Sequence, residues 1–272
     1  MTGTPVIKWN VHRIGEPDKP PVLWLHGFMG SGADWFPIVE QFREQFWCVM
    51  PDLPGHGQTK VSGNWSACTM PIVARELVTL LQNFTTSPWR MVGYSMGGRL
   101  ALFLVLNYPE LFDRVVLESA SPGLASEADR QQRRNRDELL ARELETGNWE
   151  HFLDRWYRQP LFRSLRQHPE FPSLFRRRLM NRPVELARSL RSMGTGQQPS
   201  LWENLPSNKI PLLLLVGELD VKFRRIASRM VALAPGCRMK VIPGAGHNVH
   251  AEQPEQFVKA VKRFFAEAQK MN

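Results

Sequence analysis

Residues 93–97 read Gly-Tyr-Ser-Met-Gly, which is the G-x-S-x-G spacing of an activated serine. Ser95 follows the apolar run RMVGY and precedes the run GGRLALFLVL, so a strand, a sharp turn and a helix are predicted around it. Gly93 and Gly97 suit such a turn because a side chain there would collide with neighbouring backbone. A serine held in this way can attack a carbonyl carbon or remove a proton, provided that a base lies beside it.

A base and an acid follow the serine along the chain. Asp220 ends the apolar run LLLLVGELD, and His247 follows the next run within GAGH. In a serine-centred triad the imidazole accepts the serine proton, and the carboxylate fixes the tautomer and orientation of the imidazole. We therefore predict a catalytic triad of Ser95, Asp220 and His247. His250 is less favoured than His247, because the glycines after the strand place His247 at the sheet edge. Asp52 also ends a strand, but it precedes the serine in the chain and is therefore a poor candidate for the triad acid.

The sequence His-Gly-Phe, residues 26–28, follows the apolar run PVLWL and predicts a loop that faces the serine. The backbone N–H groups of Phe28 and Met96 are the expected oxyanion hole, which would hold negative charge on an oxygen atom. His26 is interpreted as a side chain that fixes this loop. His56, within DLPGHG, is interpreted as a turn residue.

The elements that must position these residues appear as apolar runs alternating with amphipathic stretches. Six runs predict buried parallel strands: PVLWLHGF (21–28), FWCVMPD (46–52), RMVGYS (90–95), RVVLES (114–119), LLLLVGELD (212–220) and RMKVIPGAGH (238–247). Helices are predicted between them at 70–84, 96–108, 222–234 and 253–268. This alternation predicts the α/β class, with a mainly parallel, doubly wound sheet that collects function at its strand ends.

The alternation stops between residues 121 and 207. This stretch has helical patterns interrupted by prolines at positions 160, 169, 172 and 183. We predict that 121–207 forms a helical cap subdomain, inserted into a core formed by 1–120 and 208–272.

Positive charge is concentrated in this predicted cap. The chain carries a formal net charge of +9, and residues 127–191 hold fifteen arginines, no lysine and ten acidic residues. Such a charge balance can indicate a nucleic acid, an anionic membrane or an acidic small ligand, and arginine favours planar, bidentate recognition of carboxylate or phosphate groups. A nucleic-acid partner is a weaker hypothesis, because the arginines are interleaved with acids rather than forming an unbalanced positive stripe.

Other sequence features bear on location and cofactors. The N-terminus lacks the apolar core of a secretory signal, and no apolar run approaches the roughly 18 residues of a membrane span. Three cysteines without C-x-x-C spacing indicate neither a disulfide framework nor a zinc site. The prediction is a cytoplasmic protein without a metal ion and without membrane insertion.

Longer stretches of the chain resemble one enzyme family. The similar motifs are GYSMGGRLAL (93–102), ESASPGL (118–124), DRWYRQPLF (154–162), MGTGQQPSLW (193–202), GELDVKF (217–223) and GAGHNVHAEQPEQF (244–257). They resemble the α/β-hydrolase superfamily and, more narrowly, its 2-succinyl-6-hydroxy-2,4-cyclohexadiene-1-carboxylate synthases of menaquinone biosynthesis. The resemblance implies an α/β-hydrolase fold with an inserted helical cap, and a lyase that eliminates pyruvate from an enolpyruvyl cyclohexene without a cofactor.

The resemblance also implies roles for particular residues. The triad serine of that family is thought to remove a ring proton, which carries over to Ser95. The implied substrate is a small-molecule tricarboxylate, so the site must pair several negative charges. Arg99 is a candidate for this pairing because it lies one helical turn beyond Ser95, on the same face of the helix. The family's substrate-binding positions map onto Arg99, Arg133, Arg178, Tyr94 and Trp156. The neighbouring Arg176 or Arg177 could take the place of Arg178.

Hydrolysis stays open as an alternative reaction. The same triad can serve a carboxylesterase or thioesterase acting on an acidic acyl group, because the fold hosts many chemistries. An acyl group trapped on Ser95 during turnover would indicate hydrolysis.

Overall fold

Seven strands form the central sheet in a computed structural model that describes residues 3–267. Their spatial order is β2-β4-β3-β6-β7-β8-β9, and β1 pairs with β5 in a separate two-stranded sheet. The strands are Val6–Lys8 (β1), Val11–Ile14 (β2), Pro21–Leu25 (β3), Trp47–Pro51 (β4), Lys60–Ser62 (β5), Trp89–Tyr94 (β6), Phe112–Glu118 (β7), Leu212–Gly217 (β8) and Cys237–Ile242 (β9). Only β2 runs antiparallel to its neighbour in the central sheet, so the predicted mainly parallel arrangement is confirmed.

Helices cover both faces of this sheet. They are Phe36–Val39 (α1), Met70–Gln82 (α2), Met96–Asn107 (α3), Glu127–Thr146 (α4), Trp149–Tyr157 (α5), Arg163–Gln167 (α6), Phe171–Leu179 (α7), Pro183–Met193 (α8), Val221–Leu233 (α9), Val249–Glu252 (α10) and Pro254–Ala266 (α11). Alternate residues of β3 enter different cores: Leu23 and Leu25 pack with α2, α3 and α9, whereas Val22 and Trp24 pack with α1 and α11. The doubly wound α/β fold is therefore as predicted.

All six predicted strands and all four predicted helices of the core are present. The sequence analysis missed β1, β2 and β5, which have only three or four residues and partly exposed side chains. Their pairing is antiparallel and joins distant segments, so no long apolar run announces them.

Five helices, α4 to α8, lie between β7 and β8, within the stretch predicted as a cap. They share a hydrophobic cluster of their own, which includes Phe152, Leu153 and Leu186. Two prolines of this stretch lie at helix starts: Pro183 is the first residue of α8, and Pro172 lies in the first turn of α7. Proline fits there because the first N–H groups of a helix have no intrahelical acceptor. The subdomain limits, 121 and 207, stay a prediction.

Two further findings concern the described residues as a group. Among residues 3–267, no helix combines the length and apolar character that crossing a membrane requires. The three cysteines, Cys48, Cys68 and Cys237, are buried and free.

Candidate active site

Ser95 lies on the sharp turn between β6 and α3. Its backbone angles are φ 49° and ψ −105°, a region that residues other than glycine rarely adopt. Its N–H donates a hydrogen bond to the carbonyl oxygen of Glu118 at 2.9 Å. A Cβ atom on Gly97 would lie 2.3 Å from the carbonyl oxygen of Leu25, so the sharp turn requires glycine there. The strain and the close packing together present the serine hydroxyl at the carboxyl edge of the sheet.

His247 connects the serine to Asp220. The Nε2 atom of His247 lies 3.1 Å from Oγ of Ser95, and its Nδ1 atom lies 2.7 Å from Oδ2 of Asp220. The other carboxylate oxygen of Asp220 accepts the N–H of Phe223 at 3.2 Å, in the first turn of α9. With Nδ1–H directed at Asp220, the lone pair of Nε2 faces the serine hydroxyl. The three residues predicted from strand ends are therefore brought together in hydrogen-bonding order.

The loop that carries His247 is held by a buried carboxylate. Glu252 accepts the N–H of Gly246 at 2.9 Å and the N–H of Asn248 at 3.2 Å, which are the two neighbours of His247 in the chain. His250 lies away from the serine, with its Nδ1 atom 2.7 Å from Glu118. The structure therefore places His247, and not His250, beside Ser95.

The loop of residues 26–28 lies against the serine turn. A Cβ atom on Gly27 would lie 3.6 Å from Cβ of Ser95 and 2.6 Å from the ring of Tyr94. His26 fixes this loop: its Nδ1–H donates to the carbonyl of Gly27 at 2.8 Å, and its Nε2 accepts the N–H of Leu53 at 2.9 Å. Met96 begins α3, where the first N–H groups have no intrahelical acceptor. These positions allow the predicted oxyanion hole, whose role stays a prediction.

A cavity of about 780 Å³ opens above the triad, between the core and helices α4 to α8, which are called the inserted segment below. Its lining contains all ten residues that the sequence analysis assigned to the site: Ser95, Asp220, His247, Phe28, Met96, Arg99, Arg133, Arg178, Tyr94 and Trp156. A concave pocket of this size that combines apolar walls with polar groups is typical of small-molecule sites.

Arg99 is buried (9% exposed) on the first turn of α3. Its guanidinium donates to Oε1 of Gln198 at 2.9 Å and to the carbonyl oxygen of Met193 at 3.1 Å, and both acceptors are neutral. Within residues 3–267, no carboxylate lies within salt-bridge distance of it. Burial and the nearby charge of Arg133 lower the pKa of Arg99 to about 10, which still leaves it charged at neutral pH.

The other two predicted arginines already have carboxylate partners. Arg133 donates from Nε to Asp137 at 2.7 Å, one turn further along α4. Arg178 contacts both oxygens of Asp34, at 2.7 and 2.9 Å. Burial opposes the charge of Arg178, but Asp34 and the hydroxyl of Tyr157 outweigh it and raise its pKa above the usual value. Of the three consecutive arginines at 176–178, Arg178 is the one that lines the cavity.

The two predicted aromatic residues form the walls near the triad. The ring of Tyr94 lies 5.6 Å from that of His247, and burial raises the pKa of its phenol well above the usual value. Its hydroxyl therefore stays protonated at neutral pH. Trp156 stacks on Phe152 at 6.0 Å and contacts Phe28 at 5.5 Å, so it joins the inserted segment to the loop of residues 26–28.

The family description "alpha/beta hydrolase fold" matches residues 20–254. The chain belongs to the α/β-hydrolase family. It is 34% identical over 250 residues to the 2-succinyl-6-hydroxy-2,4-cyclohexadiene-1-carboxylate synthase of Citrobacter koseri, covering 91% of this chain and 94% of that protein. The structure of MenH from S. aureus superposes with a TM-score of 0.89 at 32% identity, covering 94% of this chain and 97% of that chain. Within the α/β-hydrolases, the chain therefore belongs to this group of synthases.

A plant relative is similar to this chain over one part of a larger protein. The chloroplastic protein PHYLLO of Arabidopsis thaliana is 35% identical over 270 residues, which cover 93% of this chain and 16% of that protein. This α/β-hydrolase thus spans about a sixth of the plant relative and almost all of the bacterial one.

Some residues of this α/β-hydrolase site were not found by sequence reasoning. Gln198 orients Arg99, Asp34 pairs with Arg178, and Glu118 and Glu252 hold the histidine loop. Glu118 ends a predicted strand, so the rule that strand ends collect function could have indicated it. Among residues 3–267, no group of three or more His, Cys, Asp or Glu side chains could hold a metal ion.

Proposed function

We propose that this protein eliminates pyruvate from 2-succinyl-5-enolpyruvyl-6-hydroxy-3-cyclohexene-1-carboxylate to give 2-succinyl-6-hydroxy-2,4-cyclohexadiene-1-carboxylate. The observation that carries the proposal is Arg99, a buried cation without a carboxylate partner in the described chain, one turn beyond a triad serine. A charge in that position is costly unless an anionic ligand pairs with it. The substrate supplies three carboxylates, and the named bacterial relatives support the assignment.

The substrate and the product define the bonds that change. The ring double bond lies at C3 in the substrate, and double bonds lie at C2 and C4 in the product. A proton therefore leaves C2, the electrons shift along the ring, and the C5–O bond breaks. The leaving group is the enolate of pyruvate, which takes up one proton to give pyruvate, so the reaction consumes no water and needs neither oxidant nor reductant.

The triad supplies the base for this reaction. Ser95 removes the C2 proton while His247 accepts the proton of the serine hydroxyl, and Asp220 stabilises the resulting imidazolium. The same imidazolium then returns a proton to the departing enolpyruvate. Negative charge develops on the succinyl carbonyl oxygen next to C2, and we assign its stabilisation to the N–H groups of Phe28 and Met96.

The arginines divide the task of binding carboxylates. Within residues 3–267 Arg99 makes no salt bridge to a carboxylate, and Arg133 donates from Nε to Asp137, which leaves the terminal nitrogens of Arg133 for the substrate. Arg178 is already paired with Asp34, although its buried Nε has no partner within residues 3–267. We assign the main carboxylate contacts to Arg99 and Arg133. Three free, buried cysteines suit a reducing cytoplasm, which we propose as the compartment.

The test is a paired assay of the wild type and Ser95→Ala. We expect rapid pyruvate release by the wild type, negligible cleavage of an activated acetate ester, and loss of pyruvate release by at least about 1,000-fold in Ser95→Ala. Ser228→Ala is the matched control, because this exposed serine lies on α9 and hydrogen-bonds only its own helix. Ester or thioester cleavage without pyruvate release, with an acyl group trapped on Ser95, would establish a hydrolase instead.

A further inference from the structure

A buried carboxylate that the reaction does not use lies directly behind the triad. Glu118 is the last residue of β7 and has no exposed surface (0%). In the parallel pairing of β6 and β7 it lies opposite Tyr94, the residue before Ser95. Its backbone carbonyl accepts the N–H of Ser95 at 2.9 Å. The main chain of Glu118 therefore holds the residue whose positive φ forms the serine turn.

The side chain of Glu118 holds the other half of the triad. One carboxylate oxygen accepts the backbone N–H of His250 at 3.0 Å, and the other lies 2.7 Å from Nδ1 of the same residue. His250 lies in α10, which begins two residues after His247. Both hydrogen bonds therefore fix the segment that carries the catalytic imidazole.

The rings around His250 transmit this position to the site. The His250 ring lies between Trp35, at 4.3 Å, and Tyr94, at 5.0 Å. The ring of Tyr94 in turn lies 5.6 Å from the ring of His247. A displacement of His250 would therefore move the ring that packs against the triad histidine.

We propose that Glu118 is a positioning residue that sets the distance between Ser95 and His247. The inference rests on the roles that the proposed function gives to those two residues. The serine follows β6 and the histidine follows β9, so the two are carried by strands that are not neighbours, and Glu118 on β7 bonds to both segments. Burying a carboxylate is costly, and an apolar side chain would fill the same space, so the geometry of its hydrogen bonds is what it provides.

The test compares Glu118→Ala with Glu118→Gln in pyruvate release. The glutamine can accept the N–H of His250 and donate to its Nδ1 in the other tautomer, whereas alanine does neither. We expect Glu118→Ala to lower kcat by about 10- to 100-fold while KM changes less than about threefold, because a misplacement of about 1 Å impairs catalysis more than binding. Glu118→Gln should restore kcat to within about fivefold of the wild type.

A control on the same strand separates positioning from stability. Asp113, at the opposite end of β7, lies 3.4 Å from Arg90 and far from the triad. Asp113→Asn should leave kcat unchanged, because this side chain lies far from the triad. If Glu118→Ala lowers Tm and leaves kcat of the folded enzyme unchanged, the residue is merely structural and the inference is overturned.

Two substitutions of His250 keep the inference testable if Glu118→Ala does not fold. The amide nitrogen of asparagine occupies roughly the place of Nδ1, and that of glutamine roughly the place of Nε2. His250→Asn should therefore retain most of kcat, and His250→Gln should lose it. Equal activity of the two variants would overturn the inference.

Labelling of Ser95 by a fluorophosphonate distinguishes this inference from the proposed reaction. The labelling rate reports the alignment of serine and histidine and does not require the substrate. If the wild type is labelled but releases no pyruvate, the proposed reaction fails. The inference then holds only if labelling of Glu118→Ala is slower than that of the wild type by a factor of about 10 or more. A wild type that shows neither activity overturns the triad roles and the inference with them.

Discussion

At the scale of single residues, Arg99 keeps a charge where charge is costly. Its pKa is lowered to about 10 by burial and by Arg133, and its two hydrogen-bond acceptors, on Gln198 and Met193, are neutral oxygens. A hydrogen bond to a charged group contributes about 1.5–3 kcal/mol. We therefore expect Arg99→Ala to lower kcat/KM for pyruvate release by at least about tenfold, measured by steady-state kinetics.

The matched control is another buried arginine. Arg114 lies in β7 at the end away from the cavity, with its guanidinium 5.5 Å from the ring of Phe264. Arg114→Ala should lower Tm but leave kcat/KM within about twofold of the wild type. An Arg99→Ala enzyme with wild-type kinetics would contradict the role of Arg99 as a carboxylate ligand.

At the scale of elements, a buried ion pair joins the inserted helices to the core. Arg178 of α7 and Asp34 of the core each expose only 8% of their side chains. Burial alone would raise the pKa of Asp34, but Arg178 outweighs it and holds that pKa below its usual value. Asp34→Asn should lower the free energy of unfolding by about 3–5 kcal/mol in urea denaturation, because it leaves Arg178 buried without its counter-ion.

An exposed ion pair provides the comparison for this prediction. Glu40 and Arg43 lie 2.6 Å apart, with about half of each side chain exposed. Glu40→Gln should leave the free energy of unfolding nearly unchanged, because water screens the pair. If Asp34→Asn is no more costly than Glu40→Gln, the pair does not hold the inserted helices in place.

The same elements show what sequence reasoning could find. The triad was predictable because each member lies within a few residues of the end of a predicted strand, and parallel strands bring their carboxyl ends to one edge of the sheet. The pairing of Asp34 with Arg178 was not, because the two residues are 144 positions apart and meet only through the orientation of α7. Gln198 was missed for a similar reason, since its contact with Arg99 depends on the path of the chain after α8.

At the scale of the whole molecule, the arginines differ in whether a carboxylate neutralises their charge. On the surface of the inserted segment, Arg158 pairs with Asp154 and Arg191 with Glu138, each at 2.7 Å. Arg99, inside the cavity, has no such partner within residues 3–267. The surface arginines named here are therefore paired with neighbouring carboxylates, whereas the charge of Arg99 faces the cavity.

The stability of the whole fold should depend on pH through two buried histidines, His26 and His56. Burial, with a smaller effect of the neighbouring His26, lowers the pKa of His56 to about 3, and burial also lowers the pKa of His26. In the unfolded chain a histidine titrates near 6.5, so between about pH 6.5 and 3 the unfolded chain binds a proton that the folded site excludes. Stability is therefore complete above about pH 6.5, and His56 lowers it by about 1.4 kcal/mol per pH unit below that value.

Asparagine at position 56 tests this assignment. The Nδ1 atom of His56 lies 3.1 Å from the carbonyl oxygen of Pro54, and the amide of asparagine can donate the same hydrogen bond without titrating. We expect urea denaturation at about pH 7 and about pH 5 to show a smaller loss of stability in His56→Asn than in the wild type. His151→Asn, on the exposed face of α5, should keep the wild-type loss because that side chain is in water in both states. Equal losses in the wild type and His56→Asn would mean that the acid sensitivity arises elsewhere in the fold.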